Sequence, residues 1–454
     1  MYSPIISYES SRSIHSKGSR LKSFRGNLRI LFVTRVNLAK LVILGATGLF
    51  FNDILLFNIS GYSVTPYHLI FPLSALFVLL VDRRCVDNIS GIVMVWFFML
   101  FIEIVHVMMI GYGLEVEWFR SFAQFFVYSF SFLLVIRLRL TRGDLVALAP
   151  WTAKFGVFLS LIGIAQFILF LFGIPAYIPV DFRVRSAFDP LIDTYRYGGF
   201  SPAIGFATEP SYYSIALCVV LSSLLFFSKI GVISGRLQNI SLSLILMGIM
   251  VSYSLSGIII AFFLFLSFFA SSSGKRIFAL MLLGFFVWFL FNVSYADPIR
   301  GRLSLVLAGD DRSALMRVVA SSRLLFSGTS RLETSLLGTG MGLEYREFET
   351  YLRVYLQVLS SDRAISEIKV HNIFTTIKLL QGWVGLALYM VMVWLTLRPA
   401  IQIWRLCVPL LFFFLIYHFS IGLYLTPAFW SVYALISILG KSDLSAEHGV
   451  LPGD

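Results

Sequence analysis

The stretch "KVHNIFTTIKLLQGWVGLALYM", residues 369–390, holds two opposed tendencies in one segment. From Ile373 onward it is apolar, and the run 371–397 is long enough to cross ~30 Å of hydrocarbon as a helix. Yet His371, Thr375, Lys378, Gly382 and Gly385 recur at intervals of three or four residues, flanked by Ile, Leu, Val and Trp. That spacing puts them on one stripe of a helix. A stripe of polar and small side chains faces other helices rather than lipid. His371 tops the stripe and Lys378 lies two turns deeper. An ionisable group at membrane depth costs free energy and marks a functional site by default.

The rest of the chain has the same character. Of its 454 residues 58% are hydrophobic, and only 13% are charged. A soluble domain would carry roughly twice that charged share. Apolar runs place spans near 40–58, 66–81, 90–111, 118–138, 150–173, 210–228, 238–253, 256–272, 276–294, 371–397, 402–420 and 422–440. The expected fold is therefore an all-α polytopic integral membrane protein with about 12 transmembrane helices. A membrane β-barrel would show ~10-residue alternating segments, and none is visible. "SYSLSG" (252–257) is the only polar break in the run 238–272.

Short loops keep Lys and Arg on the cytoplasmic side. With a cytoplasmic N-terminus, the inner loops hold Arg83 and Arg84, Arg137, Arg139 and Arg142, Lys229 and Arg236, Lys275 and Arg276, and Arg398 and Arg405. The short outer loops are the uncharged "SGYSVTP" and the acidic "YGLEVEW" (112–118). Three parts are expected: a basic cytoplasmic tail over 1–39, a helical bundle over 40–440, and a cytoplasmic tail over 441–454. The basic tail suits contact with anionic membrane lipid and not nucleic acid. The formal net charge of +12 is thus largely topological. Cys85, Cys218 and Cys407 fall in an inner loop or inside spans, so no structural disulfide is expected outside. No internal repeat of the kind found in two-halved transporters is visible.

Two outer segments are long, 174–209 and 295–370, and loops of that length usually carry function. Both are rich in arginine, including Arg183, Arg185 and Arg196 in the first and Arg300, Arg302, Arg312, Arg317, Arg323, Arg331, Arg346, Arg353 and Arg363 in the second. Arginine's planar fork binds phosphate oxygens two at a time and stays charged. Against that stands pairing with the segment's own glutamates, for which Glu349 and Arg353 have helical spacing. "DDRSALMRVVASSRLLF" (310–326) reads as a surface helix capped by aspartate. "LLGTGMGLEY" (336–345) reads as a tight glycine-bent loop; with no strand before it, a nucleotide-binding turn is the poorer reading. Asp310 and Asp311 lack further carboxylates at metal-ligand spacing, and no metal is expected. Glu209 precedes Pro210, which suits the first helical position, so Glu209 should be a non-helical cap whose carboxylate the helix N-terminus favours.

"VHNIFTTIKLLQGWVGLALY" resembles the histidine-asparagine signature of the O-antigen polymerase and ligase superfamily. "GFATEPSYYSIAL" (205–217) resembles the glutamate-proline-serine element of Wzy-type polysaccharide polymerases, and "SYSLSGIIIAFF" (252–263) their serine-glycine turn between two spans. "RSALMRVVAS" followed by "LLGTGMGLEYREF" is similar to the family's long loop. The likeness covers roughly 200–390. It departs at Ile373–Thr376, where a leucine-containing turn is usual, and at Gln381, where an acidic residue is common. The serine-glycine turn lacks an arginine often seen in ligases, which leans towards polymerase.

The resemblance implies a GT-C-like glycosyltransferase in a bacterial inner membrane, with the large loops periplasmic. It would transfer a growing glycan from undecaprenyl diphosphate to the non-reducing end of a lipid-linked oligosaccharide repeat unit. Neither a nucleotide cofactor nor a metal is implied, and a chain-length regulator is implied as a membrane partner. A hydroxyl attacking an anomeric carbon needs a base, and His371, with a pKa near ~6.5 unperturbed, is suited. The leaving lipid diphosphate calls for positioned cations. Arg196, Arg312 and Arg317 are the candidates, then Arg331 and Lys378, with Asn372 and Tyr212 completing the substrate contacts. His371 as a cationic clamp with Glu209 as the base is equally compatible with these residues. An O-antigen ligase or protein O-oligosaccharyltransferase shares all of this except the acceptor. From another class, a lipid-linked sugar transporter would make use of Glu103, His106 and Lys154, although polarity here gathers at the outer surface and not the midplane.

Overall fold

The computed structural model describes residues 34–59, 62–80, 86–110, 116–174, 176, 202–270, 281, 284, 300–301, 304, 321–326, 332–342, 372–420 and 424–442. In chain order the first helices are α1 (Arg35–Ala46), α2 (Pro66–Val78), α3 (Ser90–Ile110), α4 (Val116–Val135) and α5 (Arg142–Leu171). Then come α6 (Pro210–Lys229), α7 (Arg236–Val251), α8 (Leu255–Ala270) and two short helices, α9 (Ser321–Phe326) and α10 (Leu332–Leu337). The last three are α11 (Ile373–Gln402), α12 (Trp404–Ser420) and α13 (Pro427–Gly440).

Local chemistry accounts for many helix starts. Thr141 and Asp144 form a reciprocal cap at α5: the Asp144 N–H donates to Thr141 Oγ1 (3.2 Å), and the Thr141 N–H to Asp144 Oδ2 (2.9 Å). Pro66, Pro210 and Pro427 each occupy the first helical position, where a missing N–H costs nothing. The polar break at 252–257 separates α7 from α8, with Tyr253 in the left-handed region (φ 49°). Ser252 and Ser254 hydroxyls accept the N–H groups of Ser254 and Gly257 there, replacing helical partners.

α3, α4, α5, α6 and α11 are long and apolar enough to cross a membrane. α2, α7, α8, α12 and α13 are apolar but shorter, so full-length spans among the described residues are fewer than the sequence suggests. α13 has 14 residues, about 21 Å of helix. Of the stretch 276–294 only residues 281 and 284 are among the described residues. The first expected span, 40–58, is also corrected. α1 starts earlier, at Arg35, and stops at Ala46, where Thr47 turns its hydroxyl onto the Ile43 carbonyl (2.9 Å). A 3-10 turn (Gly48–Phe51) and a two-stranded antiparallel hairpin, β1 (Phe57–Ile59) with β2 (Tyr62–Val64), follow. The cause is the polar pair after Phe51. Asn52 exchanges hydrogen bonds with Thr208 (3.2 and 3.0 Å), and the Asp53 N–H donates to the Phe206 carbonyl (3.2 Å).

Two helices form the interior. Every residue of α6 from Tyr213 to Phe227 is buried, as is every residue of α13. α6 is surrounded by α5, α7, α8 and α12, and α13 by α1, α2, α4, α11 and α12, so α12 touches both. Lipid gives no hydrophobic drive for helices to associate, and close approach through small residues takes its place. A Cβ built on Gly257 of α8 falls on the side chain of Ser214 in α6, and one on Gly45 of α1 falls 2.7 Å from Ser431 Oγ in α13. The buried serine hydroxyls of α6 bond within their own helix, as Ser223 does to the Val219 carbonyl (2.9 Å).

The two ends of the bundle differ. At one, Arg35 meets Asp144 (3.6 Å), Lys229 donates to the Arg405 carbonyl (3.0 Å), and Lys441 donates to the Ile136 carbonyl (3.2 Å). The other end carries the starts of α4, α6, α11 and α13 and, of the residues singled out for chemistry, Glu209, Tyr212, Asn372 and Lys378. Gly257→Ala is expected to destabilise the protein by about 1–3 kcal/mol through overpacking against Ser214. Gly91→Ala, whose nearest neighbour would be Leu395 Cδ1 at 3.9 Å, should stay within about 0.5 kcal/mol of wild type. Thermal unfolding in detergent compares them; equal midpoints would mean α6 and α8 are not in close contact at Gly257.

Candidate functional site

α11 is two helical pieces joined at Gly382, whose φ of 67° and ψ of −170° interrupt the ladder. The break frees the carbonyls of Leu379 and Leu380 from helical partners. The loop 338–342 supplies replacements: the Thr339 N–H donates to the Leu379 carbonyl (2.8 Å) and the Gly340 N–H to the Leu380 carbonyl (3.0 Å). The Thr339 hydroxyl adds a third bond to Leu379 (3.1 Å). Gly338, Gly340 and Gly342 all have positive φ (87°, 91° and 77°), as the tight loop read from sequence requires. A Cβ on Gly338 would strike the Leu380 backbone, and one on Gly382 the Leu336 backbone. Gly382 is therefore a helix break and not simply a small residue in a continuous stripe.

The N-terminal half of α11 starts at Asn372, whose Oδ1 accepts the Thr375 N–H (3.2 Å) as a helix cap. From this half the stripe reaches out to α9. The Thr375 hydroxyl donates to the Ser321 carbonyl (2.9 Å), and Lys378 Nζ donates to the Leu324 carbonyl (3.1 Å). The stripe does face protein, and Lys378 is only 2% exposed. Of the residues assigned to substrate, Asn372 and Lys378 thus engage the protein's own backbone: one caps α11, the other clasps α9.

At α6, Glu209 takes the non-helical cap position with extended backbone (φ −145°, ψ 150°). Its side chain makes no cap hydrogen bond; Oε2 accepts from the Ser211 hydroxyl (3.0 Å), which aims the half-buried carboxylate sideways. Tyr212, half-buried, packs on the core's edge. The turn before Glu209 is pinned from three helices or their extensions. Gln166 Oε1 in α5 accepts the Ile204 and Gly205 N–H groups (2.8 and 2.9 Å), its amide donates to the Ala176 carbonyl (2.7 Å), and the Ala203 N–H donates to the Val251 carbonyl (3.0 Å). Asn52 completes the hold through Thr208. Gln166 and Asn52 are positioning residues that the sequence reading passed over, although a lone amide inside the apolar run 159–172 is the kind of residue that signals such a role. α6 and α11 both pack against α12, which links the Glu209 turn to the broken helix.

His371, Arg196, Arg312, Arg317 and Arg331 lie outside the described residues, as do Glu349 and Arg353. Lys154 is exposed on α5, whereas Glu103 and His106 are buried on α3. Neither a protein-family model nor any curated protein matches the chain.

Lys378→Met keeps the stem and removes the donor to Leu324. The loss of one buried hydrogen bond, worth about a factor of ten, is expected to appear as faster tryptic cleavage at Arg323 in purified protein. An unchanged cleavage rate would show that Lys378 does not hold α9.

Proposed function

We propose that the chain is a polysaccharide polymerase of the O-antigen type, a membrane glycosyltransferase that uses lipid-diphosphate-linked oligosaccharides. The observation that carries this reading is the pair of bonds from Thr375 and Lys378 to the backbone of α9. They join the end of the arginine-bearing segment 310–326 to the half-helix whose cap, Asn372, directly follows His371 in sequence. In this reading the cations for a diphosphate come from the segment that ends in α9, and the imidazole for a proton from the residue just before the α11 cap. The basic cluster of Arg35, Lys229, Arg405 and Lys441 at the opposite end suits a cytoplasmic face, leaving the proposed site on the periplasmic one.

In the proposed reaction an acceptor hydroxyl attacks the anomeric carbon of the lipid-linked glycan. The new carbon–oxygen bond forms as the bond to the diphosphate oxygen breaks, and the lipid diphosphate departs with the bonding pair. His371 takes the hydroxyl proton. Arg312, Arg317 and Arg196, backed by Arg331, stabilise charge on the leaving diphosphate, where pre-placed cations are worth most. Glu209, turned aside by Ser211, orients the acceptor sugar, with Tyr212 beside it.

Expression in a strain lacking the gene, read as a lipopolysaccharide ladder, tests this. His371→Ala is expected to abolish long chains while the protein still accumulates in the membrane. Normal chain lengths would remove His371 from the mechanism. Single repeat units on the lipid core in the deletion strain indicate a polymerase, and none at all a ligase. Arg312→Ala should lose activity and Arg312→Lys regain only part of it; full rescue by lysine would refute bidentate phosphate binding.

A further inference from the structure

We propose that Glu103 is a positioning residue: its carboxylate fixes the loop 338–342 in the break of α11 and so sets the N-terminal half of that helix. Glu103 is 1% exposed on α3. Its Oε1 accepts two hydrogen bonds, from the Met341 N–H (2.7 Å) and from Trp118 Nε1 (3.0 Å). Trp118 is buried at the start of α4 and stacks on Phe122 (4.9 Å between centroids, 18° between planes), which fixes the indole. On the same side, a Cβ on Gly342 would lie 2.5 Å from Ser121 Oγ and 2.7 Å from the Glu117 carbonyl, both on α4. The loop is therefore gripped between α3 and α4 on one flank and the open ladder of α11 on the other.

Chemistry argues that this grip is the reason for the carboxylate. A leucine would fill the same space in an apolar helix without the desolvation cost that an acid carries there. What leucine lacks is an acceptor, and hydrogen bonds to an acidic acceptor are among the stronger ones. The Met341 N–H follows directly on Thr339 and Gly340, the two residues whose N–H groups fill the break. Fixing Met341 fixes them. Between the two halves of α11 stands one non-helical residue, Gly382, so their mutual angle depends on the loop that lies in the gap. Asn372, Thr375 and Lys378 all ride on the N-terminal half. The carboxylate that invites a transporter reading is engaged instead by a backbone amide and an indole N–H.

The link to activity rests on the polymerase reading, whereas the link to the loop does not, and the test separates them. Hydrogen exchange of purified protein in detergent reads the loop amides, and the lipopolysaccharide ladder reads activity. Glu103→Leu is expected to speed exchange at Thr339, Gly340 and Met341 by about tenfold and to shorten the chains. Glu103→Gln, which keeps an acceptor oxygen, should restore both. Trp118→Phe, a milder change that keeps the ring, should move exchange in the same direction by less. Wild-type exchange rates in Glu103→Leu, or no rescue by Glu103→Gln, overturn the anchoring. Faster exchange with wild-type chains overturns the positioning role. Should the wild-type protein itself polymerise nothing, the polymerase reading fails, and the exchange rates still judge the anchor.

Discussion

Inside a hydrocarbon layer a helix that stops must hand its open carbonyls to protein, since no water is there to take them. Two backbone bonds meet that demand here, from Thr339 and Gly340 to Leu379 and Leu380. Much of the chemistry-bearing end depends on them. They require the loop to turn through three left-handed glycines, they bring α10 and the loop against α11, and they leave Asn372–Gln381 as a short piece with its own direction. A side chain on Gly338 or Gly382 would hold the two backbones apart.

That short piece is buttressed from several sides by polar groups acting on backbone. Thr375 and Lys378 reach to α9, and Asn372 closes its first turn. Gln166 and Asn52 do the same for the turn that leads to Glu209. The polar side chains buried at this end are engaged in shaping irregular chain. The glycosyl transfer proposed for this end would need such a frame, because catalysis by placed charges works only when the charges cannot relax away.

The helical membrane class was legible in composition and run length, and several element starts were legible in single residues. Pro210 after Glu209 marked a cap and first turn, and the serines of 252–257 marked a reversal, both found where they were read. Run length misled at 40–58, because hydropathy does not register that Asn52 and Asp53 have distant partners, Thr208 lying 156 residues from Asn52 and Phe206 bonding Asp53. At 371–397 run length found a helix long enough to span, Ile373–Gln402, and it was the spacing that misled. The spacing of Gly382 fitted a stripe, and only the approach of Leu336 reveals that the same glycine ends a helix. The site was legible by residue type and less so by role. Lys378 and Asn372 carry the expected polarity, yet the partners that define their use come from α9 and from the first turn of α11 itself.

α13 has no face towards lipid; all 14 of its residues are enclosed. Such a segment gains nothing from the bilayer by itself that it does not gain from its neighbours, and at about 21 Å it falls short of the hydrocarbon thickness. Its place is a slot lined by α1, α2, α4, α11 and α12, helices that all precede it along the chain. The bundle is thus keyed like an arch: every helix that lines the slot precedes α13 along the chain, and α13 in place joins the earliest helices to the latest.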